Sequence, residues 1–146
     1  MRVVRDLSMV HPVLVADIAR IQKEVIDAHN MPFRLFETGR FHDRQQALLN
    51  KGRTKDPLSR HLFDLSNEPK RYCTAVDYVY YDGKWSWNLR DTTIAHWYLL
   101  FGNLVLDACN TLEWGGNSRS NVNYTHFQLR RDAIIHNITE VQCAVP

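Results

Sequence analysis

The chain has 146 residues, a length that suits one domain, and at this size roughly 68–70% of the unfolded surface can be buried without a disulfide staple. Hydrophobic residues make up 45% and charged residues 23%, as in ordinary globular proteins. A formal net charge of +2 without a basic run gives no argument for nucleic acid as a partner, though it is compatible with an anionic polymer.

Residues 12–29 read as an amphipathic helix, with Leu14, Ile18, Ile21 and Val25 at helical spacing and Pro12 in the first turn. "PFRLFET" (32–38) alternates as a strand, and "HDRQQALLNKG" (42–52) reads as a short helix ended by Gly52. Residues 53–72 carry Pro57, Pro69, two serines and many charges, and read as loop. "CTAVDYVYYDGKWSW" (73–87) reads as a hairpin turning at Asp82-Gly83. Asp91 can cap a helix over 92–109. "LEW" (112–114) and "NYTHFQL" (123–129) read as strands around a Gly-Gly turn, and the tail from Arg131 as a short helix followed by coil. The sum is one α+β domain with a mainly antiparallel sheet and flanking helices.

Two negative signals frame the chemistry. Cys73, Cys109 and Cys143 form an odd count without a CxxC pair, which argues against a disulfide framework and a cysteine-rich zinc site; they read as reduced thiols of a protein made in a cytosol. The N-terminus has no apolar block of signal-peptide type, and the most apolar stretch, "IAHWYLLFGNLVLDAC", is only sixteen residues and carries His, Asn, Gly and Asp. Stable membrane insertion is not expected.

The seven histidines include no HExxH pair. Alternation in 123–129 puts His126 on one face with Tyr124 and Gln128, and Phe127 with Leu129 on the other. Asp77 lies on the face opposite Val76 and Tyr78. His61, in the Ser59-Arg60-His61 segment, could be a third member of one site. A His/Asp/His set with Glu113 alongside suits a catalytic zinc: three protein ligands, one open position and a separate base. Spacing alone leaves plainer roles open: a turn-edge aspartate, a satisfied core histidine, and a salt-bridged glutamate.

Several segments are familiar in their order: "HPVLVADIARIQ", "FETGRFHDRQQALLNKGRT", "SRH", "CTAVDYVYYDGKWSW" and "LEWGGNSRSNVNYTHFQL". Together they resemble the M15 zinc peptidases, the D-Ala-D-Ala carboxypeptidase and VanY-like group, and most of all phage endolysins that are L-alanyl-D-glutamate peptidases. The resemblance implies a fold of the hedgehog and D-Ala-D-Ala-peptidase type, with residues 1–146 as one catalytic domain and no separate wall-binding domain. It implies His61, Asp77 and His126 as zinc ligands, Glu113 as catalytic base, and Arg40 facing the substrate carbonyl. Arg53 could bind a substrate carboxylate, Gln45 could orient Arg40, and Trp114 could form an aromatic wall that desolvates Glu113 and raises its pKa.

The pattern also departs from the family. His61 and Asp77 are sixteen residues apart, where the usual motif is His-x6-Asp. The polar insert at 62–72 is expected to leave the site and return, shaping substrate access on the way. The family's Gly-Gly-Asp-Trp reads "GGNS" here, and the aspartate often found three before the last histidine is Asn123. His42, His96 and Cys73 stand as substitute ligands. The implied function is zinc-dependent cleavage of the L-alanyl-D-glutamate bond in the peptidoglycan stem peptide. The implied protein is a monomer, made in the host cytoplasm and reaching periplasmic peptidoglycan with the help of a holin. Two alternatives remain: a D,D-carboxypeptidase removing terminal D-alanine, and a zinc-containing binding module without hydrolysis.

Overall fold

Helix α1 (Pro12–Arg20) starts at His11, whose Nδ1 accepts from the Val13 N–H at 3.3 Å. The computed structural model describes residues 2–134. α1 runs on through a π-helical stretch, Ile21–Asp27, so the expected helix over 12–29 is present but not α throughout. The other elements are β1 (Phe33–Glu37), α2 (His42–Asn50), β2 (Ala75–Tyr81), β3 (Trp85–Ser86), α3 (Thr92–Ala108), β4 (Leu112–Trp114) and β5 (His126–Leu129). Gly83 takes φ +90° in the β2–β3 turn, a conformation open to glycine. Asp91 caps α3 by accepting from the N–H groups of Thr93 and Ile94. Residues 131–134 are helical, and the remainder of the tail, Cys143 included, lies outside the described residues.

The strands form one antiparallel sheet in the order β1-β2-β5-β4, with β3 paired to the C-terminal end of β2. Alternation gives this sheet two unlike faces. Val76, Tyr78, Leu112, Trp114, Phe127 and Leu129 join the apolar side chains of α1 and α3 in one core. Phe33 of β1 stacks on Phe101 of α3, centroids 4.2 Å apart. The opposite face carries charge. Register sets Glu37 opposite Asp77, Asp77 opposite His126, and Glu113 opposite Gln128.

Trp114 belongs to the core face. It is buried, stacks on Phe127, and donates from Nε1–H to the Tyr124 carbonyl at 3.0 Å. A Cβ at Gly102 or Gly116 would run into its indole ring. Trp114 is thus chiefly a core residue that also borders an open groove on the charged side of the sheet. In a strand, neighbours point to opposite faces, so Trp114 cannot share a face with Glu113.

The insert does leave and return, as expected. It departs beside Arg40, whose N–H donates to the His61 carbonyl at 2.8 Å, and it is closed where Asp64 and Arg71 exchange two backbone hydrogen bonds at 2.7 Å. Beyond that closure, the Asp64 carboxylate gathers the Ser66 N–H, the Ser66 hydroxyl and the Asn67 amide, which hold its pKa down to about 2.

Two outcomes test this packing. Alanine in a helix interior normally stabilises relative to glycine, yet Gly102→Ala should destabilise by about 1–3 kcal/mol through overpacking against Trp114, read by urea denaturation. Replacing the exposed residues 66–70 with a short Gly-containing link should change stability by less than about 1 kcal/mol, because loop length enters only logarithmically.

Candidate metal centre

His61 comes from the loop, Asp77 from β2 and His126 from β5. Their atoms converge. His61 Nε2 lies 3.3 Å from His126 Nδ1 and 3.4 Å from Asp77 Oδ1, and His126 Nδ1 lies 3.3 Å from the same oxygen. The outer nitrogens fix the tautomers. His61 Nδ1–H donates to the Thr38 carbonyl at 2.7 Å, and His126 Nε2–H donates to Gln128 Oε1 at 3.0 Å. Each ring then turns a lone pair inward, toward a carboxylate oxygen. Three acceptors without a hydrogen between them need a positive centre, and this group could hold a metal ion. A proton can take that place when no metal is bound. Burial pushes the His126 pKa down, but the hydrogen bond and charge of Asp77 outweigh it and leave the pKa raised. Burial likewise opposes the charge on Asp77, and the two imidazoles overcome it, holding the carboxyl well below the usual range.

A second buried carboxylate underlies the first. Glu37, 1% exposed, is gripped by Arg40 through Nε and Nη2 at 3.1 and 3.0 Å, and by Arg44 at 2.7 and 3.2 Å. Burial would raise its pKa, and the two guanidiniums reverse that and lower it. Arg40 also donates from Nη1 to Gln45 Oε1 at 2.8 Å and stands 3.8 Å from Asp77 Oδ2. Gln45, itself buried, donates onward to the Asp56 carbonyl and so ties Arg40 to the 53–58 loop.

Glu37, Arg40, Arg44, Asp56, His61, Asp77, His126 and Gln128 line one open groove of ≈ 1230 Å³. Glu113 lines it too, but as an exposed side chain hydrogen-bonded to Gln128 Nε2 at 2.5 Å. The desolvated carboxylate expected beside Trp114 is corrected accordingly. Arg53 is exposed on the groove rim. None of residues 62–72 lines the groove, so the expected role of the insert in substrate access is not met; the 52–56 and 117–123 segments border it instead. His42 and His96 are exposed and, with Cys73, stand outside the converging set. Burial pushes the Cys73 thiol up to about 12.

Four contributors were not singled out from sequence. Thr38 acts through its carbonyl, which carries no side-chain signal. Glu37 was read only as part of the strand over 32–38. Gln128 was seen only as a face-mate of His126. Arg60, beside His61, ties that loop to the sheet by donating to Thr74 Oγ1 at 2.7 Å and the Leu129 carbonyl at 2.6 Å. Its charge in a segment read as loop gave no hint of a half-buried role.

Sheet, helices and donor set define a small α+β domain of peptidase type built around a candidate metal centre. No family model and no curated protein matches the sequence. Among solved structures, the chain is similar to the L-Ala D-Glu endopeptidase ChiX of Serratia marcescens, at 30% identity and a TM-score of 0.63, over 86% of this chain and 85% of that one. The chain belongs to the M15-like family of L-Ala-D-Glu peptidases.

The buried Glu37 gives a pH signature. Its folded pKa lies below the ordinary 4.5, so its contribution to stability is complete above that value and fades as pH falls through the lower folded one. Glu37→Gln leaves two arginines without their shared partner and should cost about 3–5 kcal/mol near neutral pH. Urea denaturation should show the gap to wild type narrowing below pH 4; a gap constant with pH would contradict the ion-pair account.

Proposed function

We propose that this chain is a zinc-dependent peptidoglycan peptidase that cleaves the L-alanyl-D-glutamate bond of the stem peptide. The observation that carries the reading is the spacing of the three donor atoms, 3.3, 3.3 and 3.4 Å. In a tetrahedron the edge is about 1.63 times the centre-to-corner distance, so zinc bonds of about 2.0–2.1 Å imply ligand atoms about 3.3–3.4 Å apart. Octahedral magnesium, with bonds of about 2.0–2.1 Å, would draw neighbouring ligands to about 2.9 Å. The nitrogen-rich donor set favours zinc as well.

His61, Asp77 and His126 would hold the ion and leave the groove side open. Zinc, when bound, supplies a Lewis acid and lowers the pKa of water to about 7. Glu113 stands outside the donor set on the same sheet face. It accepts the proton of the attacking water and returns it to the leaving amine. Gln128 engages Oε1 of Glu113, which fixes the carboxylate and leaves Oε2 for that proton. Arg40 keeps two N–H bonds beyond those given to Glu37 and Gln45, and they serve the carbonyl oxygen as negative charge develops there. Arg53 on the rim meets a substrate carboxylate. The neighbour's printed activity supports the choice of bond. The finer picture of an endolysin made in a host cytoplasm and released through a holin rests on the motif resemblance.

Digestion of purified peptidoglycan should expose a new amino group on D-glutamate; release of free D-alanine instead would favour the carboxypeptidase alternative. Chelation should stop the reaction and zinc should restore it. His61→Ala, Asp77→Ala and His126→Ala should each lose stoichiometric zinc by elemental analysis. Glu113→Gln should keep one zinc per chain while turnover falls roughly 10²–10⁴-fold, the usual contribution of a general base. Loss of zinc in that variant would move Glu113 into the donor set and end its assignment as base.

A further inference from the structure

A shallow ledge adjoins the metal groove. It encloses ≈ 250 Å³ and is bordered by Trp87, Leu89, Val122 and Tyr124, with Asn123 and Thr125 at the join. Trp87, Val122, Asn123 and Thr125 line both the ledge and the main groove, so the two spaces are continuous, and Thr125 directly precedes His126. Trp87 and Val122 are each 51% exposed and Leu89 42%, although each borders a concave surface where burial was available. The indole is nonetheless braced: Phe36 meets it edge to face at 5.0 Å, and the Trp87 carbonyl accepts from the Leu89 N–H at 3.0 Å.

The lining of the ledge is uncharged throughout. Beside the hydroxyls of Tyr98, Tyr124 and Thr125 it carries one amide. Asn123 Oδ1 accepts from the Thr125 N–H at 3.1 Å and from its hydroxyl at 2.9 Å, and among the described residues nothing accepts from Asn123 Nδ2. The groove is asymmetric in charge. Its cations Arg53, Lys55 and Arg130 line the groove and not the ledge, and Arg130 directly follows Leu129, at the end of β5 that pairs with the start of β2, away from β3 and Trp87. An anionic stretch of substrate fits that end. A neutral ring with an apolar face and polar edges fits the Trp87 end, where the indole offers a flat apolar surface and Asn123 a free donor.

We infer that the Trp87 ledge is a second subsite of this groove, binding an N-acetylated sugar ring of the glycan strand that carries the stem peptide. The inference rests on the peptidoglycan reading above, and it sets the direction of binding: sugar and lactyl-L-alanine toward Trp87, the carboxylate-bearing residues toward Arg130. In the stem peptide the sugar is joined to the amino side of L-alanine, one residue from the bond to be cut, so a subsite adjoining the centre is where it has to fall.

Two measurements test it. The first is the ratio of kcat/KM for a muramyl peptide to that for the same peptide without its sugar. Wild type should favour the sugar-bearing form by about three- to tenfold, and Trp87→Ala should bring the ratio close to one, with Trp87→Phe restoring part of it. An equal loss on both substrates would mean that the ledge holds a peptide side chain, and the sugar assignment would fall. The second is calorimetric binding of N-acetylglucosaminyl-N-acetylmuramyl-L-alanine, which contains no bond for the enzyme to cut. Its Kd should rise by about three- to tenfold in Trp87→Ala and by less in Trp87→Phe. An unchanged Kd would overturn the subsite whether or not the protein hydrolyses anything. Failure of both peptides as substrates, with this fragment still bound through Trp87, would instead fault the proposed reaction and leave the sugar site standing.

Discussion

Three acceptor atoms from segments far apart in sequence are held within 3.4 Å of one another, and the architecture of this chain is organised around tolerating that. Lone pairs repel, so such a cluster persists only where its members are fixed from behind and a positive centre is available. The fixing is visible at each member. The Thr38 carbonyl holds His61, Gln128 holds His126, and sheet register places Asp77 between Glu37 and His126. Each of these partners lies on a strand or directly after one, so the cluster inherits the rigidity of the sheet.

Below the cluster, Glu37 and its two arginines perform a different task. A buried carboxylate with two guanidiniums leaves one net positive charge beside Asp77, and Arg40 conveys it, with Nη2 3.8 Å from that carboxylate. Gln45 extends the same network to the Asp56 carbonyl, so the floor of the groove and the loop at its rim are mechanically one piece. A shift of that loop would be felt at Arg40 without any contact to the ligand atoms.

Much of this was legible in the sequence because it is written in periodicity. Alternation placed His126 and Gln128 on one face and Phe127 and Leu129 on the other, and the Asp82-Gly83 turn and the Asp91 cap set the elements on either side. The long His61–Asp77 spacing was also readable as an excursion, since its residues are polar and both of its ends can be pinned. What could not be read has physical reasons. A backbone carbonyl such as Thr38 leaves no trace in side-chain chemistry. A buried Glu37 is indistinguishable from an exposed strand acid until Arg40 and Arg44 are seen to meet it. The error over Glu113 and Trp114 was different in kind. Adjacency in sequence was taken as adjacency in space, although strand geometry sends neighbours to opposite faces.

The four residues of β5 carry a consequence for how the chain finds its structure. His126 and Gln128 serve the centre while Phe127 and Leu129, fully buried, serve the core. A slip of one residue against β2 would send the imidazole into the aromatic layer beneath the sheet and leave a phenyl ring among the clustered acceptors. Both halves of the error would be penalised at once, by an unpaired polar group in the core and by an unmatched carboxylate above it. The short strand therefore proofreads its own register. A molecule able to complete its apolar core has, by the same alternation, already turned His126 and Gln128 away from it, so one-residue misalignments of β5 are disfavoured by the pattern itself.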